Sequence, residues 1–160
     1  GHRRIALLNG ETGFMSQVVC REGYESGLFL SGLELDPDLI REWKHKDPSQ
    51  SSYRWTLELF RNENPPTAIL FQTEAVNGIF KGLDELDLQP GKDVALIGYD
   101  DLEIARIHRP SLSVLRPQAR EAGQRVVNIL LEVIKGEDPG KFQEIHQVEM
   151  VIRETSLPPS

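Results

Sequence analysis

The chain has 160 residues, of which 39% are hydrophobic and 27% are charged, a composition typical of a folded domain. Its 18 Lys and Arg residues are outnumbered by 25 Asp and Glu residues, which gives a formal net charge of -7. No basic run stands out that would neutralise the phosphates of a duplex, so we expect that this chain does not bind DNA by itself.

Cysteine usage and hydropathy point to one compartment. Cys20 is the only cysteine, which excludes an internal disulfide and a two-cysteine metal site and favours a reducing environment. No apolar run reaches the roughly 20 residues that cross a bilayer, and the N-terminal residues lack the apolar region of a signal peptide. We therefore predict a cytoplasmic protein without membrane contact, and the abrupt start at Gly1 suggests a fragment.

In chain order, the apolar run 5–8 ends at an Asn-Gly pair, which predicts a strand buried on both faces and closed by a turn. Apolar residues at helical spacing then predict a helix over 14–30. A weak extended piece follows at 33–35. A second helix is predicted over 51–61, with a serine at its start as the cap.

The middle of the chain repeats the pattern of an apolar strand followed by an amphipathic helix. Residues 67–71 and 93–97 predict buried strands, and 75–86 predicts the helix between them. Such alternation implies right-handed crossovers and a mostly parallel sheet covered on both faces. Ligands of such sheets bind at the carboxyl ends of the strands.

The pattern changes after Pro110. Residues 112–115 predict a short extended segment, 121–134 a strongly periodic helix, and 148–153 a closing strand.

Several segments resemble the LacI/GalR family of bacterial transcription regulators, in the same order and over nearly the whole chain. They are Gly1 to Leu8, Gly23-Tyr24, Pro66 to Ile69, Gly78 to Leu88, Gly98-Tyr99-Asp100-Asp101, Pro110 to Val114, Glu121 to Gln124, and Val151 to Thr155.

The resemblance implies an α/β fold, namely a three-layer parallel-sheet lobe of the type I periplasmic-binding-protein-like fold. Residues 1–109 would form the C-terminal lobe of the effector-binding core, 110–140 a crossover segment and helix belonging to the other lobe, and 141–160 the closing strand and tail. The family holds a small effector, typically sugar-like, between two lobes. It contacts operator DNA through an N-terminal helix-turn-helix that is absent here.

By the same resemblance, the chain is the effector-sensing and dimerisation module of a repressor that couples effector binding to operator affinity. We expect a homodimer whose contacts lie on the first and third helices and around 102–110.

Asp100 is the first candidate for an effector contact. A carboxylate just past a buried strand can accept hydrogen bonds from ligand hydroxyls or amines, although the same residue type also forms turns. The resemblance favours the ligand contact, because the counterpart of Asp100 commonly contacts effector. We predict that Asp101 instead caps the following helix.

The first helix offers three further candidates. Ser16 lies where family members place a polar ligand contact. Cys20 stands three residues before Gly23, where many members have an effector-binding Arg, and Arg21 comes one position later. Because a helix turns about 100° per residue, Arg21 points off the expected face, so either it reaches around or the effector differs.

A second departure follows the central strand, where Gln72-Thr73-Glu74 replaces the family's Asn-Asp pair. Thr73 and Glu74 are the candidates for polar contacts there. The family's aromatic platforms fall near Asp47 and at Ala119, which does not support a pocket that stacks on a pyranose. We favour a changed effector over a loss of sensing.

Two other classes of protein compete with this interpretation. A periplasmic-type solute-binding protein for a sugar-like ligand shares the fold but requires an export signal. An enzyme would need a nucleophile with its base or a cofactor loop, and the sequence contains neither. The four histidines lack metal-ligand spacing, so we expect no catalysis, no cofactor and no metal.

Overall fold

The computed structural model describes residues 1–10, 13–43 and 47–156. Within these ranges, strands and helices alternate through most of the chain. The elements are β1 (Ile5–Asn9), α1 (Met15–Leu30), β2 (Ile40–Glu42), α2 (Pro48–Phe60), β3 (Ala68–Gln72), α3 (Val76–Glu85), β4 (Ala95–Tyr99), α4 (Glu103–Ile107), β5 (Ser113–Pro117), α5 (Ala119–Ile134) and β6 (Val148–Val151). None of the described helices is long and apolar enough to span a bilayer.

All of these strands belong to one sheet in the order β2-β1-β3-β4-β5-β6. The first five strands in this order pair in parallel, and β6 pairs antiparallel with β5. The predicted α/β fold with a mostly parallel sheet is therefore confirmed.

The main core lies on one face of the sheet, against α2, α3 and α4. It is built from fully buried side chains such as those of Leu8, Leu59, Phe71, Ile79, Leu83 and Leu96. On the opposite face, α1 packs over β1 through Tyr24 and Leu28. The hydroxyl of Tyr24 donates to the carbonyl of Ile5 at 2.8 Å, so this buried phenol has its partner within the lobe.

The helix α2 begins earlier than predicted and has a different cap. Asp47 accepts the backbone N–H of Gln50 at 2.8 Å, and Pro48 occupies the first helical position. Proline suits that position because the N–H that it lacks would have no partner in the helix. The predicted serine cap is thus wrong, and Ser52 is instead buried, donating to the carbonyl of Ala75 at 2.9 Å.

The extended piece predicted at 33–35 is not a strand. Gly32, with a φ of 65°, ends α1, and the N–H of Leu33 donates back to the carbonyl of Leu28 at 2.9 Å. Leu33 is therefore used to close the helix in a Schellman-like turn. The edge strand β2 follows at Ile40–Glu42.

Within the late segment, Leu112 and Val114 still belong to the main core, but α5 does not. β5 pairs with β4, yet α5 contains no buried residue. Its apolar stripe is at least half exposed and comprises Val126, Val127, Leu130, Leu131 and Ile134. An amphipathic helix with an uncovered stripe lacks the packing that normally stabilises helices in proteins.

Substitution of Gly78 by Ala tests the close contact between α2 and α3. A Cβ at Gly78 would lie 1.9 Å from the carbonyl oxygen of Ser49 and 2.2 Å from Oγ of Ser52, so the helices must separate. We expect the free energy of unfolding, measured by urea denaturation, to fall by about 1–3 kcal/mol. Gly123→Ala is the control, because nothing lies within 4 Å of the added Cβ there, and it should raise stability by about 0.5–1 kcal/mol. Equal changes in the free energy of unfolding of the two variants would contradict a close contact between α2 and α3 at Gly78.

Candidate functional site

The central strands end at the same edge of the sheet, which we call the rim. Parallel pairing sets Phe71 opposite Leu8 and Tyr99 opposite Gln72, so β1, β3 and β4 finish side by side. The rim consists of the strand ends Asn9, Gln72 and Tyr99, the residues Thr73, Glu74 and Asp100 that follow them, and Ser16 and Cys20 on α1.

A network of uncharged polar groups forms the floor of the rim. The amide of Gln72 donates to Oδ1 of Asn9 at 3.2 Å and lies 3.8 Å from Sγ of Cys20. Asn9 in turn donates to the carbonyl of Gln17 at 2.9 Å, which ties β1 to α1. Both amide side chains are buried, Asn9 completely and Gln72 at 7% exposure. The floor therefore presents fixed hydrogen-bonding groups without a formal charge.

The thiol of Cys20 remains protonated in this setting. Burial raises its pKa, hydrogen bonds from Gln72 and Tyr99 act in the opposite direction, and the nearby charge of Asp100 adds to the rise. Burial likewise raises the pKa of Tyr99. Cys20 is thus a small neutral group beside Asp100, and the conditions that activate a cysteine nucleophile are not met.

Asp100 follows β4 in a left-handed conformation, with a φ of 69°. Its N–H donates to the carbonyl of Leu115 at 2.9 Å, and its own carbonyl accepts the hydroxyl of Thr73 at 2.9 Å. With the backbone held on both sides, the carboxylate of Asp100 is exposed at the rim. Asp is among the few residues that tolerate this conformation.

Thr73 stabilises this backbone conformation of Asp100. It is fully buried, and its hydroxyl also donates to the carbonyl of Tyr99. The approach requires glycine at Gly98, since a Cβ there would lie 2.6 Å from Oγ1 of Thr73. Thr73 thus fixes the backbone of Tyr99, the last residue of β4, and of Asp100, which carries the candidate carboxylate.

The other predicted residues lie in different settings. Ser16 and Glu74 are exposed, in the first turn of α1 and just after β3 respectively. The guanidinium of Arg21 is held by Glu25 at 2.8 Å and by Glu42 at 2.9 Å, which ties α1 to the edge strand β2. Arg21 is therefore already paired with two carboxylates.

Sequence reasoning did not assign a site role to Gln72 or Tyr99. Both are the final residues of apolar strands, and polar groups at that position of a parallel sheet face the ligand side. That signal was available for Gln72, whereas the pairing of Tyr99 with Cys20 depends on long-range geometry.

Asp101 does not cap the following helix, and that prediction is wrong. Its Oδ2 accepts from Arg106 and Arg116, each at 2.7 Å, and its Oδ1 accepts from Arg153 at 2.7 Å. The cap position of α4 is Leu102, which makes no side-chain cap bond. The three guanidinium groups occupy both oxygens of the carboxylate, which holds it away from the start of the helix.

The same contacts set the protonation of Asp101. Burial on its own would raise the pKa, but hydrogen bonds from Arg106, Arg153 and Arg116 outweigh it and hold the pKa well below its usual range. Asp101 is therefore ionised at every pH at which the protein would function.

A cavity of about 700 Å³ lies on the sheet face beside α1 and shares Tyr99 with the rim. Its walls are almost entirely apolar and include Tyr24, Leu28, Leu70, Ile97, Leu115 and Ile152. It cannot offer the hydrogen bonds that orient a polar ligand, so the rim remains the candidate site.

Residues 1–156 match the family model of the "Periplasmic binding protein-like domain". Among curated proteins, the chain is 28% identical to the HTH-type transcriptional repressor PurR of Haemophilus influenzae (strain PittEE), over 97% of this chain and 47% of that protein. The chain thus spans about half the length of the curated relatives it matches.

Comparison with solved structures also finds LacI-type regulators. A regulatory protein of the LacI family from Chloroflexus aggregans superimposes with a TM-score of 0.89 at 26% identity, over 98% of this chain and 56% of that chain. The lac repressor dimer, solved bound to operator and the anti-inducer ONPF, gives a TM-score of 0.84 at 27% identity, over 99% and 54%. These matches confirm the resemblance to LacI-type regulators, and the proteins concerned are transcription regulators rather than enzymes.

Thr73→Val tests the support beneath the loop. Valine keeps the shape of the side chain but leaves the carbonyls of Tyr99 and Asp100 without their donor, so we expect the free energy of unfolding to fall by about 1–3 kcal/mol in urea denaturation. The control is Thr67→Val, at an exposed threonine whose hydroxyl bonds to Nδ1 of His2 at 2.9 Å and to the carbonyl of Arg4 at 3.4 Å, both open to water, with an expected loss within about 0.5 kcal/mol. Equal losses would show that the buried hydroxyl has no special role.

Asp101→Asn tests the ion pairs through their pH dependence. Because the folded-state pKa is lowered, the pairs stabilise the protein above the unfolded-state pKa, and the contribution is lost as the pH falls through the folded value. We expect the variant to have a lower Tm than the parent near neutral pH, and the difference to narrow below about pH 4. A Tm difference that stays constant through the acid range would contradict the pairing.

Proposed function

Because the chain belongs to the periplasmic binding protein-like domain family in its LacI-type form, we propose that it is the effector-sensing and dimerisation module of a DNA-binding repressor. One observation carries the proposal. The rim presents an exposed carboxylate, Asp100, on a loop fixed from below by Thr73, above a floor of uncharged hydrogen-bonding groups. Such preorganised polar groups at the carboxyl ends of parallel strands suit a small polar ligand.

The proposed effector is a sugar or sugar-like molecule. Asp100 accepts hydrogen bonds from its hydroxyls, Ser16 and Glu74 supply further contacts from the edges of the rim, and Cys20 contacts it beside Asp100. Gln72 adds an amide at the floor. A carboxylate that accepts from a ligand hydroxyl gives a charge-assisted hydrogen bond, which is stronger than one between neutral groups.

Thr73 and Arg21 serve the effector site indirectly in this proposal. Thr73 holds the loop of Asp100, and Arg21 fixes α1 against β2 through Glu25 and Glu42, so that Ser16 and Cys20 keep their place. Side chains held in this way need less ordering when a ligand binds, which favours affinity.

The remaining half of the core completes the cleft. We propose that residues 1–109 form one lobe, that 110–140 cross to the other lobe, and that 141–160 return. The uncovered apolar stripe of α5 supports this division, because burial against a second lobe would give the helix the packing that it lacks here.

Operator binding requires a part of the protein outside this chain, in keeping with the net charge of -7. We propose a cytoplasmic homodimer with contacts on α1, α3 and the 102–110 segment. Leu102 and Ile107, at 42% and 66% exposure, offer apolar surface in that segment. Effector then changes operator affinity by binding one arrangement of the lobes better than the other.

A thermal-shift screen of sugars, sugar acids and nucleosides on the full-length protein, followed by Asp100→Asn and Asp100→Ala, tests this function. Any compound that binds the native state raises the Tm. Because the hydrogen bonds to the charged carboxylate are lost, we expect the Kd for that compound to rise at least about tenfold in both variants.

Asp87 provides the matched control, since it is also an exposed aspartate in the left-handed region, with a φ of 56°. Asp87→Asn and Asp87→Ala should carry the same backbone cost and leave the Kd unchanged. An unchanged Kd in the Asp100 variants would refute the assignment of Asp100 to the effector site. A screen in which no compound raises the Tm would refute the proposal that the protein senses these classes of compound.

A further inference from the structure

Four charged side chains meet beside the rim, and we call this group the hub: Asp101, Arg106, Arg116 and Arg153. The carboxylate of Asp101 receives all three guanidinium groups, each at 2.7 Å. Its side chain is only 4% exposed, whereas that of Arg106 is 58% exposed. The hub is thus centred on one shielded negative charge.

The three arginines come from different elements. Arg106 lies on α4, Arg116 lies on β5, and Arg153 follows β6. β5 leads directly into α5, and β6 follows after it along the chain. The hub therefore joins the loop after β4 to both of the strands that flank α5.

Further hydrogen bonds and an ion pair reinforce these connections. Arg153 also donates to the carbonyl of Leu112 at 2.6 Å, just before β5, and Arg116 also pairs with Glu149 on β6 at 3.1 Å. Next to the hub, the N–H of Asp100 donates to the carbonyl of Leu115 on β5. The candidate effector residue and the strand pair consequently share one set of bonds.

We propose that Asp101 is a positioning residue that couples the loop carrying Asp100 to the strand pair β5 and β6, and through that pair to the orientation of α5. The inference rests on the proposed function, in which α5 packs on the other lobe and Asp100 contacts effector. A change at the loop would then reach the other lobe through the hub, without any contact between effector and arginine.

The charge balance of the hub makes Asp101 its essential member. Loss of any single arginine leaves the carboxylate with partners, but loss of the carboxylate leaves three guanidinium groups that repel one another. Of the other carboxylates, Glu149 pairs with Arg116 at 3.1 Å, and the charge of Glu103 acts on Arg106 from the same helix. Without Asp101 the cluster would therefore be only partly compensated, and like charges that are partly shielded from water favour separation of the segments that carry them.

Hydrogen–deuterium exchange of the full-length protein without any ligand tests the coupling. In Asp101→Asn, we expect the exchange of segments 98–102, 113–117, 119–134 and 148–151 to rise about tenfold, while 5–9 and 68–72 keep the parent rate. In Arg116→Gln, Asp101 keeps its pairs with Arg106 and Arg153 but the ion pair between Arg116 and Glu149 is lost as well, so the rise should be confined to 113–117, 119–134 and 148–151 and should spare 98–102.

Asp36→Asn is the control. It removes another carboxylate paired with an arginine, Arg4 at 3.1 Å, and asparagine can still accept the N–H of Asp38. It should leave the rates of 98–102, 113–117, 119–134 and 148–151 unchanged. Faster exchange confined to 98–107 in Asp101→Asn would mean that the carboxylate only anchors α4, and it would overturn the proposal, as would a uniform rise across all strands. Should Asp101→Asn not fold, the pattern in Arg116→Gln decides. The measurement uses no effector, so its outcome is separate from that of the ligand screen.

Discussion

Parallel strand pairing is the constraint from which the candidate site follows. In an antiparallel sheet, neighbouring strands end at opposite edges, but here β1, β3 and β4 all run the same way and end together. Polar residues that are more than 60 positions apart in the chain, such as Asn9 and Gln72, are thereby brought within hydrogen-bonding distance. The apolar residues of these strands pack in the main core, which holds the edge in place.

Two adjacent aspartates at this edge have different surroundings. Asp100 is exposed, with its backbone bonded and its carboxylate directed to solvent. Asp101 is buried among arginines and serves the lobe itself. Under the proposed function, one carboxylate is available for a ligand while its neighbour holds the same loop in place.

The order of elements and the type of sheet could be predicted from the sequence because they depend on local patterns. Apolar runs such as 67–71 mark buried strands wherever the chain places them. The position of β2 was predicted wrongly, since the apolar residue Leu33 is used to end α1 through its bond to Leu28. The cap of α2 was also wrong, because Asp47 and Pro48 form a stronger start signal than the serines after them.

The site was predictable only in part. Asp100 follows a strand, so its place at the rim could be inferred from local sequence. The environment of Asp101 could not, because Arg106, Arg116 and Arg153 lie 5, 15 and 52 residues away along the chain. The contacts of Gln72 with Asn9 and Cys20 could not be predicted either, because no local pattern connects these residues. Pairings between distant residues depend on the complete fold, which single-sequence patterns do not contain.

The left-handed backbone at Asp100 restricts which residues can replace it. At a φ of 69°, glycine, asparagine and aspartate are the residues that fit with little strain. Over evolutionary time this position can therefore present a carboxylate, an amide or no side chain, whereas branched and aromatic groups are disfavoured by the backbone itself. Under the proposed function, adaptation to bulkier or less polar effectors would have to proceed through the neighbours of Asp100, on α1 and at the end of β3, where the backbone imposes no such limit.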